Sequence, residues 1–197
     1  MKKIFATLLA ASLMLLGTQA FAQMSVNAGY LNSTLATKNL SHNSNGAFAG
    51  VSFNVPISGA FSIAPGVYYS ALFSKDSEFL GFGTGSFQEH ALNVPVYLNF
   101  AFALASDTKF FIFGGPTAQY GLISQVKHVV GSINTTVDNY KDADFNRFNV
   151  YLGGGVGFQA GSFQVTAGYD YGMMNQYKDT DVACHRSNIK VGVGFLF

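Results

Sequence analysis

Tryptophan is absent from this 197-residue chain, cysteine occurs once, and charged residues make up only 11%. Each shortage removes a class of protein. With Cys184 alone, no intramolecular disulfide can form. A soluble domain carries about 25% charged residues, so 11% is too few for a surface wholly in water. The formal net charge of +1 leaves no basic excess for a nucleic-acid binder. Beyond residue 22 no run approaches the roughly 18 apolar residues of a membrane helix, which excludes helical spans. What the chain has instead is 22 glycines, 15% aromatic residues and a persistent alternation of apolar with small or polar positions.

The first residues form a separate unit. Lys2 and Lys3 precede an apolar run from Ile4 to Leu16, and Ala20-Phe21-Ala22 stands just before Gln23. That is the layout of a secretory signal peptide, with cleavage expected after Ala22. The run is shorter than the ~20 residues that span a bilayer, so it is not read as an anchor. Its removal takes away two lysines and turns a net +1 into a net −1. Two units follow: a leader over residues 1–22 and one domain over residues 23–197.

The last residues show the pattern of that domain. Ile189, Val191, Val193, Phe195 and Phe197 fall on one face, and Asn188, Lys190, Gly192, Gly194 and Leu196 on the other. A period of two is a strand. A wholly apolar face opposite a small, polar one fits a strand with lipid outside and a lumen inside. The same alternation predicts seven earlier strands, over about 24–32, 47–55, 61–73, 92–100, 110–122, 148–159 and 163–172. Short turns at Ser58-Gly59, Ala105 to Thr108 and Gly161-Ser162 alternate with long polar loops over about 33–45, 75–90, 127–145 and 178–186. Strict alternation of long and short connections is typical of outer-membrane barrels, with the long loops outside and the tight turns in the periplasm. The expected fold is therefore all-β: an eight-stranded antiparallel transmembrane β-barrel.

Charge placement agrees. Asp107 and Lys109 flank a short turn, and nearly every other charge of the domain falls in or beside a long loop. Only Asp170 and Lys190 lie within predicted strands, and both point inward. If Phe163 and Phe197 are level, Asp170 stands opposite Lys190, and the two are expected to form an ion pair in the lumen. Bulky Phe48, Tyr68, Tyr97, Phe111, Phe113 and Tyr151 alternate inside with glycines and amides, which fills so narrow a barrel. Outward Tyr30, Tyr69, Tyr120, Tyr169 and Tyr171 are expected to mark the membrane border. Pro56, Pro65, Pro95 and Pro116 remove ladder donors and are expected at bulges or strand ends.

Chemistry is sparse. His42, His90, His128 and His185 fall in, or at the rim of, four different long loops, and no ligand spacing recurs among them, so no metal site is assigned. No carboxylate pair has the strand spacing needed for acid–base work, and no catalytic residue or cofactor is assigned. Gly153-Gly154-Gly155-x-Gly157 lies within a strand, not before a helix, and is not a phosphate loop. His42-Asn43-Ser44 is superficially similar to the His-x-Ser pair of outer-membrane lipid A deacylases. In that family the pair lies on a lipid-facing strand, whereas here it is read as part of a polar loop.

The order Lys190-x-Gly192-x-x-Phe195-x-Phe197 resembles the C-terminal signal of outer-membrane β-barrel proteins, which their assembly machinery reads. Over residues 23–197 the chain resembles the small outer-membrane barrels of the OmpA and OmpX type. It is also similar to the PorT-like "porin family" barrels common in Bacteroidetes, whose hydrophobic-x-hydrophobic-Pro strand motif is matched by Leu92-Asn93-Val94-Pro95-Val96-Tyr97-Leu98. The resemblance implies an outer-membrane location in a Gram-negative cell, contact with outer-membrane lipid, and the barrel-assembly machinery as a partner in biogenesis. It also implies a monomeric, non-enzymatic role in envelope structure or in surface and assembly contacts made by four outer loops. A small-solute pore and, further off, a lipid-modifying enzyme are the alternatives.

Overall fold

The computed structural model describes residues 23–37, 41–76, 84–130, 133–142, 145–178 and 183–197. The expected leader, residues 1–22, lies outside the described residues. The chain folds as β1 (Gln23–Ala36), β2 (Ser41–Ser58), β3 (Phe61–Asp76), β4 (Thr84–Ala105), β5 (Thr108–Val130), β6 (Ile133–Asp138), a single helical turn α1 (Asn139–Asp142), β7 (Phe148–Ala160), β8 (Phe163–Gly172) and β9 (His185–Leu196). Eight of the strands make a closed antiparallel ring in the order β1-β2-β3-β4-β5-β7-β8-β9, and β9 pairs back onto β1. Closure leaves no unpaired edge in the lipid, as a membrane-spanning sheet requires. The ninth strand, β6, lies outside the ring and, among the described residues, pairs only with the outer end of β5, from Gln125↔Asp138 to Val130↔Ile133.

Alternation sorts the two faces. Val67, Leu98, Leu152, Val165 and Val193 stand outward with 47–62% of their surface exposed. A water-soluble protein would bury such a band; here it meets lipid. Tyr30, Tyr69, Tyr120, Tyr169 and Tyr171 also face outward, each 43–50% exposed. Inside, Tyr151, Asn27, Thr117, Gln119 and Asn149 are buried. Gly59 and Gly161 take left-handed φ of 55° and 57° at the two tightest turns, where a side chain would add strain.

The strands outrun their apolar bands. Residues 33–45, read as a loop, instead continue β1 and β2: Ser33 pairs with Ser44, Thr34 with Asn43, Leu35 with His42 and Ala36 with Ser41. β4 begins at Thr84 and β5 continues to Val130, so most of two further predicted loops is sheet. Beyond the lipid both faces of a strand are polar, and the alternation that marks a strand disappears while the ladder continues. The histidines move accordingly. His42, His90, His128 and His185 lie on β2, β4, β5 and β9 and not in loops.

The proline expectation holds in part. A bulge falls at Pro56 to Ser58. Pro65 and Pro95 border gaps in the β3–β4 and β4–β5 ladders. Pro116 still pairs with Leu152. Two further bulges, at His90/Ala91 and Ala103/Ala105, involve no proline. The first places one extra residue in β5, so Leu122 and Ile123 are both exposed.

Candidate functional site: the lumen and its outer cap

The lumen is built in layers. Nearest the short turns, the Asn27 amide donates to Ser25 Oγ at 3.0 Å and to the Tyr68 hydroxyl at 3.1 Å, and accepts from Gln164 Nε2 at 2.6 Å. Asn99 donates to Asn54 at 3.0 Å, which also accepts from Ser62 Oγ at 2.6 Å. Higher up, the Tyr151 hydroxyl donates to Gln119, Gln119 to Asn93 and Asn93 to Ser70, at 3.0, 2.9 and 2.9 Å. These amides and hydroxyls satisfy one another, which lowers the desolvation cost of a polar interior.

Among the described residues, two ion pairs lie in this network. The Lys190 ammonium contacts the Asp170 carboxylate and also donates to the Tyr97 hydroxyl at 3.2 Å. The expected register is corrected by two residues: Phe163 pairs with Phe195, Gly168 with Lys190, and Asp170 with Asn188. Phe197 lies beyond the β8 pairing, and the Leu196 N–H is taken by the Ser162 carbonyl of the turn at 2.8 Å. The lysine stem spans the diagonal.

The second pair escaped the sequence reading, which left Glu89 and Arg186 at loop rims. Arg186 of β9 makes a bidentate contact with Glu89 of β4, Nη2 to Oε2 at 2.9 Å, with side chains 3% and 1% exposed. β4 is four strands from β9 in either direction around the ring, so this bridge crosses the full lumen. A signal was available: Arg186 continues the inward period of Asn188 and Lys190, and Glu89 that of Ala91 and Asn93.

The outer mouth is capped above that bridge. Tyr140 of α1 is buried over Gly121, where a Cβ would lie 1.8 Å from the Tyr140 hydroxyl. Burial raises that hydroxyl's pKa, and Glu89 acts in the same direction. The Arg147 guanidinium lies 4.7 Å from the Tyr140 ring centre, and Asn139 donates to Ser124 at 2.9 Å. The β5–β7 and β8–β9 connections join there: Phe145 bridges to Tyr177, and the Gln176 N–H donates to the Cys184 carbonyl at 2.8 Å. Cys184 is wholly buried, and burial pushes its thiol pKa up while Arg186 opposes the shift. Below the bridge remains a cavity of about 150 Å³, from Ser62, Lys109 and Gln159 beside the short turns up to Tyr151 and Asn188.

The remaining candidates do not converge. Among the described residues no three His, Cys, Asp or Glu side chains come together as a metal site. His42 and Ser44 lie on β2 and not in a loop; Ser44 is 4% exposed and on the inner face, away from lipid. His90 and His185 stack on outward Tyr69 and Tyr171. At the terminus, Phe195 and Phe197 face outward with ring centres 5.0 Å apart, while Lys190 and Gly192 face inward.

Comparison with known proteins agrees with this architecture. Residues 17–178 match the family model described as outer membrane protein beta-barrel domain. No curated protein matches in sequence. Ail, the attachment invasion locus protein of Yersinia pestis, is 12% identical, with 90% of this chain and 99% of that one aligned and a TM-score of 0.54. Neisserial surface protein A is 13% identical, over 88% and 97%, with a TM-score of 0.51. The outer membrane enzyme PagL is 12% identical, over 85% and 98%, with a TM-score of 0.50. At these identities the likeness is one of fold.

Proposed function

The chain belongs to the outer membrane protein beta-barrel domain family, and we propose that it is a non-enzymatic, non-conducting member whose outer sheet makes contacts at the cell surface. The observation that carries this reading is β6, a strand beyond the lipid band with one edge paired to β5 and, among the described residues, no strand on the other. The Asp138 N–H donates to the Asp142 carboxylate at 3.1 Å, which turns it away from β5. By the alternation of strand donors, the N–H groups of Asn134 and Thr136 also point away from β5. A free edge outside the membrane is a template for an added strand. Ail, named for attachment and invasion, shares the barrel and supports a surface role by analogy alone.

The test is surface display. Cells exposing the native chain should retain a surface ligand that cells exposing Thr136→Pro release, with equal amounts of folded barrel. Equal retention, or none by either, overturns the reading. The crossing Glu89–Arg186 bridge argues against a pore, and silence in planar bilayers is expected; steady conductance would favour the pore. The inner placement of Ser44 argues against lipid chemistry by the His42–Ser44 pair, although PagL shows that the fold admits enzymes. The chain as a monomer, its reading by the assembly machinery through Phe197, and its kinship with PorT-like barrels through Leu92 to Leu98 belong to the same proposal.

A further inference from the structure

The lumen is not symmetric between its ends. The cavity of about 150 Å³ reaches Ser62, Lys109 and Leu196 beside the short turns, and its lining stops below Glu89 and Arg186. Its lining therefore reaches the short-turn end, the periplasmic one in barrels of this type, and not the outer end. A chamber of this volume holds a molecule of about six non-hydrogen atoms, the size of benzene.

Two polar groups inside it have unused capacity. The Lys190 ammonium gives one proton to Asp170 and one to Tyr97, and has three. Its side chain keeps 26% of its surface exposed, and it lines the cavity. Asn188, two residues away on the same face of β9, is 6% exposed, and its Oδ1 has no hydrogen-bond partner. A buried acceptor without a partner is costly and is ordinarily matched. The free donor is cationic and the free acceptor neutral, and the lysine stem leans diagonally toward Asp170, the residue that stands opposite Asn188. Asp170 cancels one lysine charge, and Lys109 at the mouth leaves the chamber net positive.

We propose that this chamber is a binding site, open to the periplasm, for a small hydroxycarboxylate. Its carboxylate accepts from Lys190, its hydroxyl donates to Asn188 Oδ1, and Lys109 attracts the anion to the mouth. Nothing in this depends on contacts made at the outer surface.

The test uses the full barrel in lipid nanodiscs and lactate as probe, with binding read by ligand-observed magnetic resonance. Saturable binding in about the millimolar range is expected. Acetate lacks the hydroxyl and glycerol the carboxylate, and each should bind about tenfold more weakly or worse. Asn188→Leu should lower lactate affinity to the level of acetate, and Lys109→Glu should weaken both anions without altering glycerol. Lys190→Met should abolish anion binding; where that variant does not fold, the two preceding variants decide. No saturation by lactate overturns the site. Glycerol binding as well as lactate shows a polar void that holds an adventitious additive only, and also overturns it.

Discussion

Replacing Glu89 by Gln tests whether the cross-lumen bridge holds the barrel together. The two side chains are 1% and 3% exposed, so neither charge is solvated when alone. Gln keeps the shape and loses the charge, leaving the Arg186 guanidinium buried without its counter-ion. Breaking one side of such a pair costs about 3–5 kcal/mol. The Asp170–Lys190 pair provides an internal comparison: Lys190 is 26% exposed to the cavity and keeps Tyr97. Asp170→Asn should therefore cost less, about 1.5–3 kcal/mol. The assay is reversible urea unfolding in lipid vesicles, read as a midpoint shift at constant slope. Adding Arg186→Met to Glu89→Gln removes the stranded charge and should recover at least half of the loss, since a buried pair replaced by matched neutral groups is often neutral. Simple addition of the two losses, or a larger effect at Asp170 than at Glu89, would refute the view that desolvation sets these energies.

Three other outcomes are expected. Cys184, wholly buried and with its thiol pKa pushed up by burial, should resist alkylation at pH 8 in the folded barrel and react once it is unfolded; rapid labelling of the folded form would contradict the packed outer cap. Gly121→Val places carbon where the Tyr140 hydroxyl lies, so it should expel α1 and speed tryptic cutting after Lys141 and Arg147; an unchanged rate means that Tyr140 does not seal the mouth. Phe197→Asp should lower the folded yield in the outer membrane well below that of Phe53→Ala, and parity between the two would remove the terminal ring from the assembly signal.

Where lipid imposes one rule on each face, the strands could be read directly. Val191, Val193 and Phe195 must be apolar because they meet hydrocarbon, and Lys190 must face inward for the same reason. The Asp170–Lys190 contact followed from that constraint even though its register was off by two, because a lysine stem reaches a diagonal neighbour as well as a direct one. Above the lipid the rule lapses. Ser33, Thr34, Asn43 and Ser44 pair across β1 and β2 through backbone bonds that any residues can make, so their composition looked like a loop. Glu89 and Arg186 were missed for that reason: their partners on the outer face, His90 and His185, are polar too, and polar residues on both faces hide a period of two. The bulge at Leu122 and Ile123 was illegible because both neighbouring readings of the alternation are apolar.

These observations place an unusual share of the work on β9. Its outer face supplies the lipid contacts of Val191, Val193 and Phe195; its edge closes the ring against β1; its inner face projects Arg186 and Lys190, four residues apart, toward the same opposite strand. Arg186 reaches Glu89 and Lys190 reaches Tyr97, both on β4, so two transverse ties join β9 to the strand opposite it in the ring. A ring of backbone ladders alone can shear, because each strand is fixed only to its neighbours. Ties across the diameter fix the one separation that neighbours leave soft, and they do so by occupying the axis that a solute would need. On the non-conducting reading proposed above, rigidity and closure of the lumen come from the same side chains, so loss of the Glu89 charge is expected to show first in stability and not in conductance.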